Sequence, residues 1–238
     1  MVDRQTGQGM EHEFDRAYWD EHWHQVRNGS GAHVEAPPNP HLVQEIGALA
    51  PGTALEAGCG EGAEAIWLAQ AGWAVTAADL AEEALARASA RATDRGVNGA
   101  IQWVRADLSS WEPEERFDLV TTHYAHPTMP QLDFYDRLCR WVTPGGTLLV
   151  VGHLQADPTE TTDPTETTET TGQHDPQHGH RHPARASVTP ESVTARLDPD
   201  TWDVVTAQAR TRVVEASGSP PNTLHDVVVR AVRRHHVR

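Results

Sequence analysis

Three acidic residues in this chain each close a short apolar run, and their surroundings suit the binding of a small molecule. The first lies in Leu55-Glu56-Ala57-Gly58-Cys59-Gly60-Glu61-Gly62-Ala63, two residues ahead of a Gly-rich turn; Asp79 ends the run AVTAAD and Asp107 ends IQWVRAD. Glycines at the start of a helix let the backbone approach a ligand closely. Gly58, Gly60 and Ala63 satisfy the G-x-G-x-x-[G/A] pattern of dinucleotide-binding turns, and Asp79 falls at the distance where an acid holds a ribose. Glu56 argues for a different ligand. A carboxylate at the end of the strand, facing the crevice, repels a pyrophosphate and suits a cationic amine. Asp79 and Asp107 also stand where caps of the following helices would stand.

A second set of residues follows the later apolar runs. His123, Tyr124 and His126 come after FDLVTTH begins, and His153 ends TLLVVGH. Imidazoles at strand ends are placed to act as general bases, and His126-Pro127 puts His126 in a loop over the crevice. Near the N-terminus, Trp19, His22, Trp23 and His24 cluster on one helix-like stretch. Trp19 and Trp23, four apart, read either as the buried stripe of an amphipathic helix or as part of a segment closing over a substrate. His174, His178, His180 and His182 lie in a low-complexity stretch with Asp175 as the one carboxylate beside them, which reads as weak adventitious metal binding and not as a metal site.

The elements that must position these residues alternate strand-like and helix-like runs. Strands are expected at 53–57, 74–79, 101–107, 117–124 and 147–153, with helices at 61–71, 81–95 and 132–142 between them, the last ended by TPGG. Thr189-Pro190-Glu191 has a cap residue followed by Pro at the first helical position. WDVVTAQARTRVV and LHDVVVRAVRR then read as two consecutive strands. This order predicts an α/β fold with a mostly parallel sheet, helices on both faces and a C-terminal antiparallel hairpin. Residues 1–50 read as an N-terminal helical cap or lid with helices at 14–27 and 39–50, 51–154 as the binding core, and 187–238 as the helix and hairpin that complete the same domain. Between them DPTETT repeats from Asp157 and gives way to GQHDPQHGHRHPAR, so 155–186 is expected to be a disordered insertion: it has almost no large apolar side chains to offset its ordering entropy.

Charge excludes several partners. The 238 residues carry 19 basic and 34 acidic side chains, a formal charge of −15, and every basic one is Arg. Such a surface disfavours nucleic acid, and the terminal RAVRRHHVR is too short to reverse that. Without Lys there is no Schiff-base or P-loop chemistry. No apolar run approaches membrane-span length, the polar and acidic N-terminus resembles neither a signal nor a transit peptide, and two cysteines, Cys59 and Cys139, make no disulfide framework. The expected compartment is the cytoplasm, and the expected state a monomer or homodimer.

Taken together, E-A-G-C-G-E-G (56–62), Asp79, Asp107 in R-A-D-L, and Pro144-Gly145-Gly146 ahead of the fifth strand resemble, in order and spacing, the class I S-adenosylmethionine-dependent methyltransferases, in particular small-molecule enzymes similar to the thiopurine and tellurite-resistance methyltransferases. The resemblance covers about 50–153, with 187–234 matching the terminal strands. It implies a Rossmann-like, seven-stranded sheet and S-adenosyl-L-methionine as cofactor, held by Glu56, Gly58, Gly60, Gly62, Asp79, Leu80, Asp107 and Leu108, with Asp79 on the ribose hydroxyls and Asp107 on the adenine amine. The acceptor is then a small molecule with an S, N, O or chalcogen atom, addressed by His126, His153, His123 and Tyr124 and covered by Trp19 and Trp23. Two other readings stay open here. A nicotinamide-dependent oxidoreductase is opposed by Glu56 and by the lack of a Tyr-x-x-x-Lys pair. A noncatalytic domain that senses S-adenosylmethionine or docks a partner would share every cofactor contact.

Overall fold

The computed structural model describes residues 36–155, 187–214 and 222–235. In chain order these form α1 (Pro40–Ile46), β1 (Thr53–Ala57), α2 (Ala63–Gln70), β2 (Ala74–Asp79), α3 (Glu82–Asp94), β3 (Ile101–Arg105), β4 (Phe117–His123), α4 (Gln131–Arg140), β5 (Val142–His153), α5 (Pro190–Thr194), β6 (Trp202–Val214) and β7 (Asn222–Arg233). The expected helix at 14–27, with Trp19 and Trp23, and nearly all of the 155–186 insertion lie outside the described residues.

The seven strands form one sheet in the order β3-β2-β1-β4-β5-β7-β6. β1 pairs in parallel with β2 and β4, and β4 with β5, while β7 runs antiparallel to both β5 and β6. The chain winds outward from β1 to β3 and then restarts at β4 on the other side of β1. Beyond the C-terminal ends of β1 and β4 the strand order therefore reverses, and this is where sheets of this kind bind ligands.

Both faces of the sheet are covered. Leu55, Ala57, Val120, Leu148, Val150, Val227 and Val229 pack on one side with Phe134 and Leu138 of α4; Ala54, Leu119, Leu149, Val151 and Val228 pack on the other with Leu42 and Ile46 of α1 and Leu68 of α2. Strands buried on both faces need apolar residues at every position, which explains the continuous runs TLLVV and DVVV. At the opposite edge from the ligand crevice, Asp118 accepts from the N–H of Thr53 at 2.9 Å and from its hydroxyl at 3.0 Å, locking β4 to β1. These bonds hold its carboxyl below its ordinary range.

Several boundaries differ from the sequence expectation, three of them for a clear local reason. α1 stops at Ile46, not 50, because Gly47 caps it and Pro51 disfavours helical backbone at Ala50. β3 ends at Arg105, not 107, because Asp107 turns the chain: its Oδ1 accepts from both the N–H and the hydroxyl of Ser109. β5 starts at Val142, so Pro144-Gly145-Gly146 does not end α4 but forms an irregularity within the strand, with the register to β4 shifting there and Gly145 at φ 84°. The expected cap at Thr189 is a reciprocal one, its side chain accepting from Ser192 N–H while the Ser192 hydroxyl accepts from the Thr189 N–H.

Candidate active site

The glycine turn is fastened to β2. The N–H groups of Gly58 and Cys59 both donate to the Ala78 carbonyl, at 2.8 and 3.1 Å, and the Gly62 N–H closes a tight turn on the Cys59 carbonyl at 2.8 Å. Gly58, Gly60 and Gly62 all have positive φ, where a side chain would be strained. Space also demands glycine. A Cβ at Gly58 would overlap that of Ala125 in the loop after β4, and one at Gly62 would meet the Trp103 ring and the Ala88 methyl.

Asp79 holds this turn from the β2 side. Its Oδ2 accepts from the Gly60 N–H at 2.8 Å and its Oδ1 from the Ala81 N–H at 2.9 Å. Burial pushes its carboxyl above the ordinary range, against the pull of those two donors. Asp107 sits across from it at the end of β3, exposed, with Oδ1 engaged by Ser109. Leu80 is half-buried, whereas Leu108 is core, packed beneath Gly58.

Glu56 is fully buried at 0% exposure. Its Oε1 lies 3.0 Å from His123 Nδ1, within hydrogen-bond reach, while Oε2 has no hydrogen-bond partner among the described residues. Burial raises its carboxyl from the 4.5 of a free glutamate to about 7, with His123 opposing the rise. A buried carboxylate oxygen left without a donor is costly unless a ligand supplies one. The ammonium group of S-adenosylmethionine is such a donor, so the residues present fit that cofactor.

On the other side of β1 the sequence-predicted residues cluster with unexpected ones. The His153 ring lies 4.7 Å from that of Tyr124 and is stacked 5.3 Å from that of His126, and both imidazoles are buried. His126 Nδ1 faces Gln131 Oε1 at 3.5 Å. Tyr124 has a positive φ of 54°, unusual for a bulky residue, and its hydroxyl is held from two directions. Asn39 Nδ2 donates to it at 3.3 Å and Arg212 Nη2 at 3.1 Å, with the guanidinium 5.3 Å from the ring centroid. Arg212 Nε also donates to Oδ2 of fully buried Asp226 at 2.9 Å, and His41 Nε2 meets the same oxygen at 3.1 Å. Burial works against ionisation of Asp226, but His41 and Arg212 outweigh it and hold its carboxyl below the ordinary range. His123 joins Glu56 instead of this cluster.

Asn39, His41, Arg212 and Asp226 escaped the sequence reading. A lone acid inside the apolar run LHDVVVRAV was the available signal, since a buried charge inside a strand demands a partner. Among the described residues no group of three or more His, Cys, Asp or Glu is arranged to hold a metal ion, and no helix is long and apolar enough to cross a membrane.

A doubly wound sheet with β7 inserted antiparallel between β5 and β6, and an acid-led glycine turn at its switch point, form the arrangement that the resemblance to class I methyltransferases implies. Residues 54–146 match the family described as a methyltransferase domain. Over 118 residues the chain is 38% identical to an uncharacterized methyltransferase of Mycobacterium tuberculosis, covering 48% of this chain and 58% of that one. Over 125 residues it is 31% identical to a ubiquinone biosynthesis O-methyltransferase of Pseudomonas fluorescens, covering 52% of this chain and 54% of that one. The chain thus spans a little over half the length of these curated relatives. The N-methyltransferase NodS of Bradyrhizobium japonicum, solved with S-adenosyl-l-homocysteine, shares the fold with a TM-score of 0.59 over 91% of this chain and 100% of that one, at 17% identity.

Proposed function

We propose that this protein transfers the methyl group of S-adenosylmethionine to a small-molecule acceptor in the cytoplasm, as a monomer or homodimer. The observation that carries the reading is Glu56: a fully buried carboxyl beside the glycine turn with one oxygen lacking a donor. Glu56 receives the ammonium group. Asp79 fixes the turn through Gly60 and turns its remaining lone pairs to the ribose hydroxyls, and the free Oδ2 side of Asp107 addresses the adenine amine. Gly58, Gly60 and Gly62 keep the backbone close to the ligand, with Leu80 and Leu108 as apolar neighbours.

When bound, the cofactor supplies an activated methyl group, which leaves the protein with alignment, exclusion of water and, for an acceptor that must lose a proton, a base. The buried stack of Tyr124, His153 and His126 is our acceptor side, with Asn39 at the start of α1 bonded to the Tyr124 hydroxyl; Trp19 and Trp23, outside the described residues, are our candidates to cover it. The acidic surface favours a small acceptor over nucleic acid. The test is production of S-adenosylhomocysteine from S-adenosylmethionine against a panel of thiol, amine, hydroxyl and chalcogen-oxyanion acceptors. Turnover with at least one is expected; tight S-adenosylhomocysteine binding with no turnover on any would favour a sensor instead.

A further inference from the structure

The Glu56–His123 pair joins two strands, β1 and β4, across the point where the cofactor is expected, and both partners are buried. Each has a second polar atom, Oε2 of Glu56 and Nε2 of His123, without a hydrogen-bond partner among the described residues. Among the described residues the hydrogen bond of this imidazole is to the Glu56 carboxyl. Resting on the reading that S-adenosylmethionine binds here, we propose that His123 is a positioning residue for the cofactor: its Nδ1–H holds Oε1 of Glu56 so that Oε2 is left to receive the ammonium group.

The electrostatics agree with the geometry. Burial alone favours a neutral Glu56, and the charge and hydrogen bond of His123 oppose it. Burial likewise favours a neutral His123, yet the charge and bond of Glu56 outweigh it and raise the imidazole. The other groups facing the pair are Glu64 on α2, which raises both; Arg212 on β6, which opposes protonation of His123; and the Cys59 thiol, pushed up by burial. The binding form has an ionised Glu56 and a neutral His123. Affinity for an ammonium-bearing ligand must then rise with pH through the titration of the pair. Removing the imidazole must shift that rise to higher pH, because the carboxyl loses what opposes its burial.

Calorimetry on the full chain tests this with two probes. S-adenosylhomocysteine carries the ammonium group, and 5′-methylthioadenosine lacks the amino-acid part. In His123→Leu, S-adenosylhomocysteine affinity should fall about tenfold or more at pH 7, one unit of carboxyl shift, and recover toward wild type by pH 8.5. His123→Gln, which keeps a donor, should restore most of it at pH 7, and methylthioadenosine binding should be the same in all three proteins. Equal weakening of both probes, or weakening that pH does not relieve, would make His123 merely structural and overturn the proposal. If the Leu variant does not fold, imidazole nitrogen NMR of the wild type decides: His123 should be the Nδ1–H tautomer and lose protonated fraction on adding S-adenosylhomocysteine at pH 6.5, and an unchanged signal overturns the proposal. Failure of wild type to bind S-adenosylhomocysteine at any pH would instead remove the cofactor reading, and this proposal with it.

Discussion

The proposed cofactor side and the proposed acceptor side of this sheet hold their polar groups by different means. On the cofactor side the acids that follow β2 and β3 bond to nearby backbone, Asp79 to the N–H groups of Gly60 and Ala81 and Asp107 to that of Ser109, while Glu56 reaches across to the His123 side chain. On the acceptor side the bonds run between side chains far apart in sequence, Tyr124 to Arg212 and His41 to Asp226, separated by 88 and 185 residues. The first arrangement is a property of three strand ends and survives wherever those strands pair in parallel. The second exists only after the β6–β7 hairpin has docked on β5, so it binds the fold together at the same place where we propose the acceptor side. The difference separates a site that is read locally from one that is built by closure of the sheet.

The largest expected effect comes from breaking the long-range side. Arg212→Leu removes the cation beside fully buried Asp226 and should cost about 3 kcal/mol of stability in chemical denaturation, since the buried carboxyl is left with His41 alone of its two basic partners. S-adenosylhomocysteine affinity of the folded fraction should stay near wild type; a parallel loss would mean that the two sides are not separable.

Glu56→Gln sharpens the cofactor side. Loss of a charged acceptor should weaken S-adenosylhomocysteine binding by about 2–3 kcal/mol at pH 8. The same change should alter stability without ligand in a defined direction. The folded carboxyl titrates near 7 and the unfolded one at 4.5, so between those values the folded state holds the proton, and stability falls as pH rises through that window. The variant should lack that slope in thermal unfolding followed from pH 4.5 to 8, and retention of the full slope would assign it to other groups. Asp79→Ala comes next, at about 1–3 kcal/mol of S-adenosylhomocysteine affinity, because it releases Gly60 as well as the ribose contact. Calorimetric affinity equal to wild type would remove both roles. Smallest is Tyr124→Phe: loss of the hydroxyl held by Asn39 and Arg212 should cost about 1 kcal/mol of stability, raise the acceptor KM and leave cofactor affinity unchanged.

This contrast also explains what was legible in the residues. Strands β1 and β2 fall where TALEA and AVTAAD predict, since a strand buried on both faces writes itself as an apolar run and a glycine turn marks its end. Glu56, Asp79 and Asp107 were readable because each closes such a run. The pairing of Glu56 with His123 was not, as nothing local says which residue of β4 lies beside β1 at that height; that follows from the register Glu56↔Thr121 and the alternation of faces. Arg212 and Asp226 look like ordinary strand residues until the hairpin sets one beside the other. Pro144-Gly145-Gly146 was read as a helix stop because its turn chemistry is local, whereas its incorporation into β5 depends on Phe117 pairing with Val142.

The central claim is that the glycine turn led by Glu56 receives an ammonium-bearing nucleoside and not a pyrophosphate. Titration calorimetry of the full chain with S-adenosylhomocysteine and, separately, with NAD tests it most directly. The account predicts one-to-one binding of S-adenosylhomocysteine, weakened in Glu56→Gln by the amount given above, and no heat with NAD. Binding of NAD, or S-adenosylhomocysteine affinity indifferent to Glu56, would contradict it.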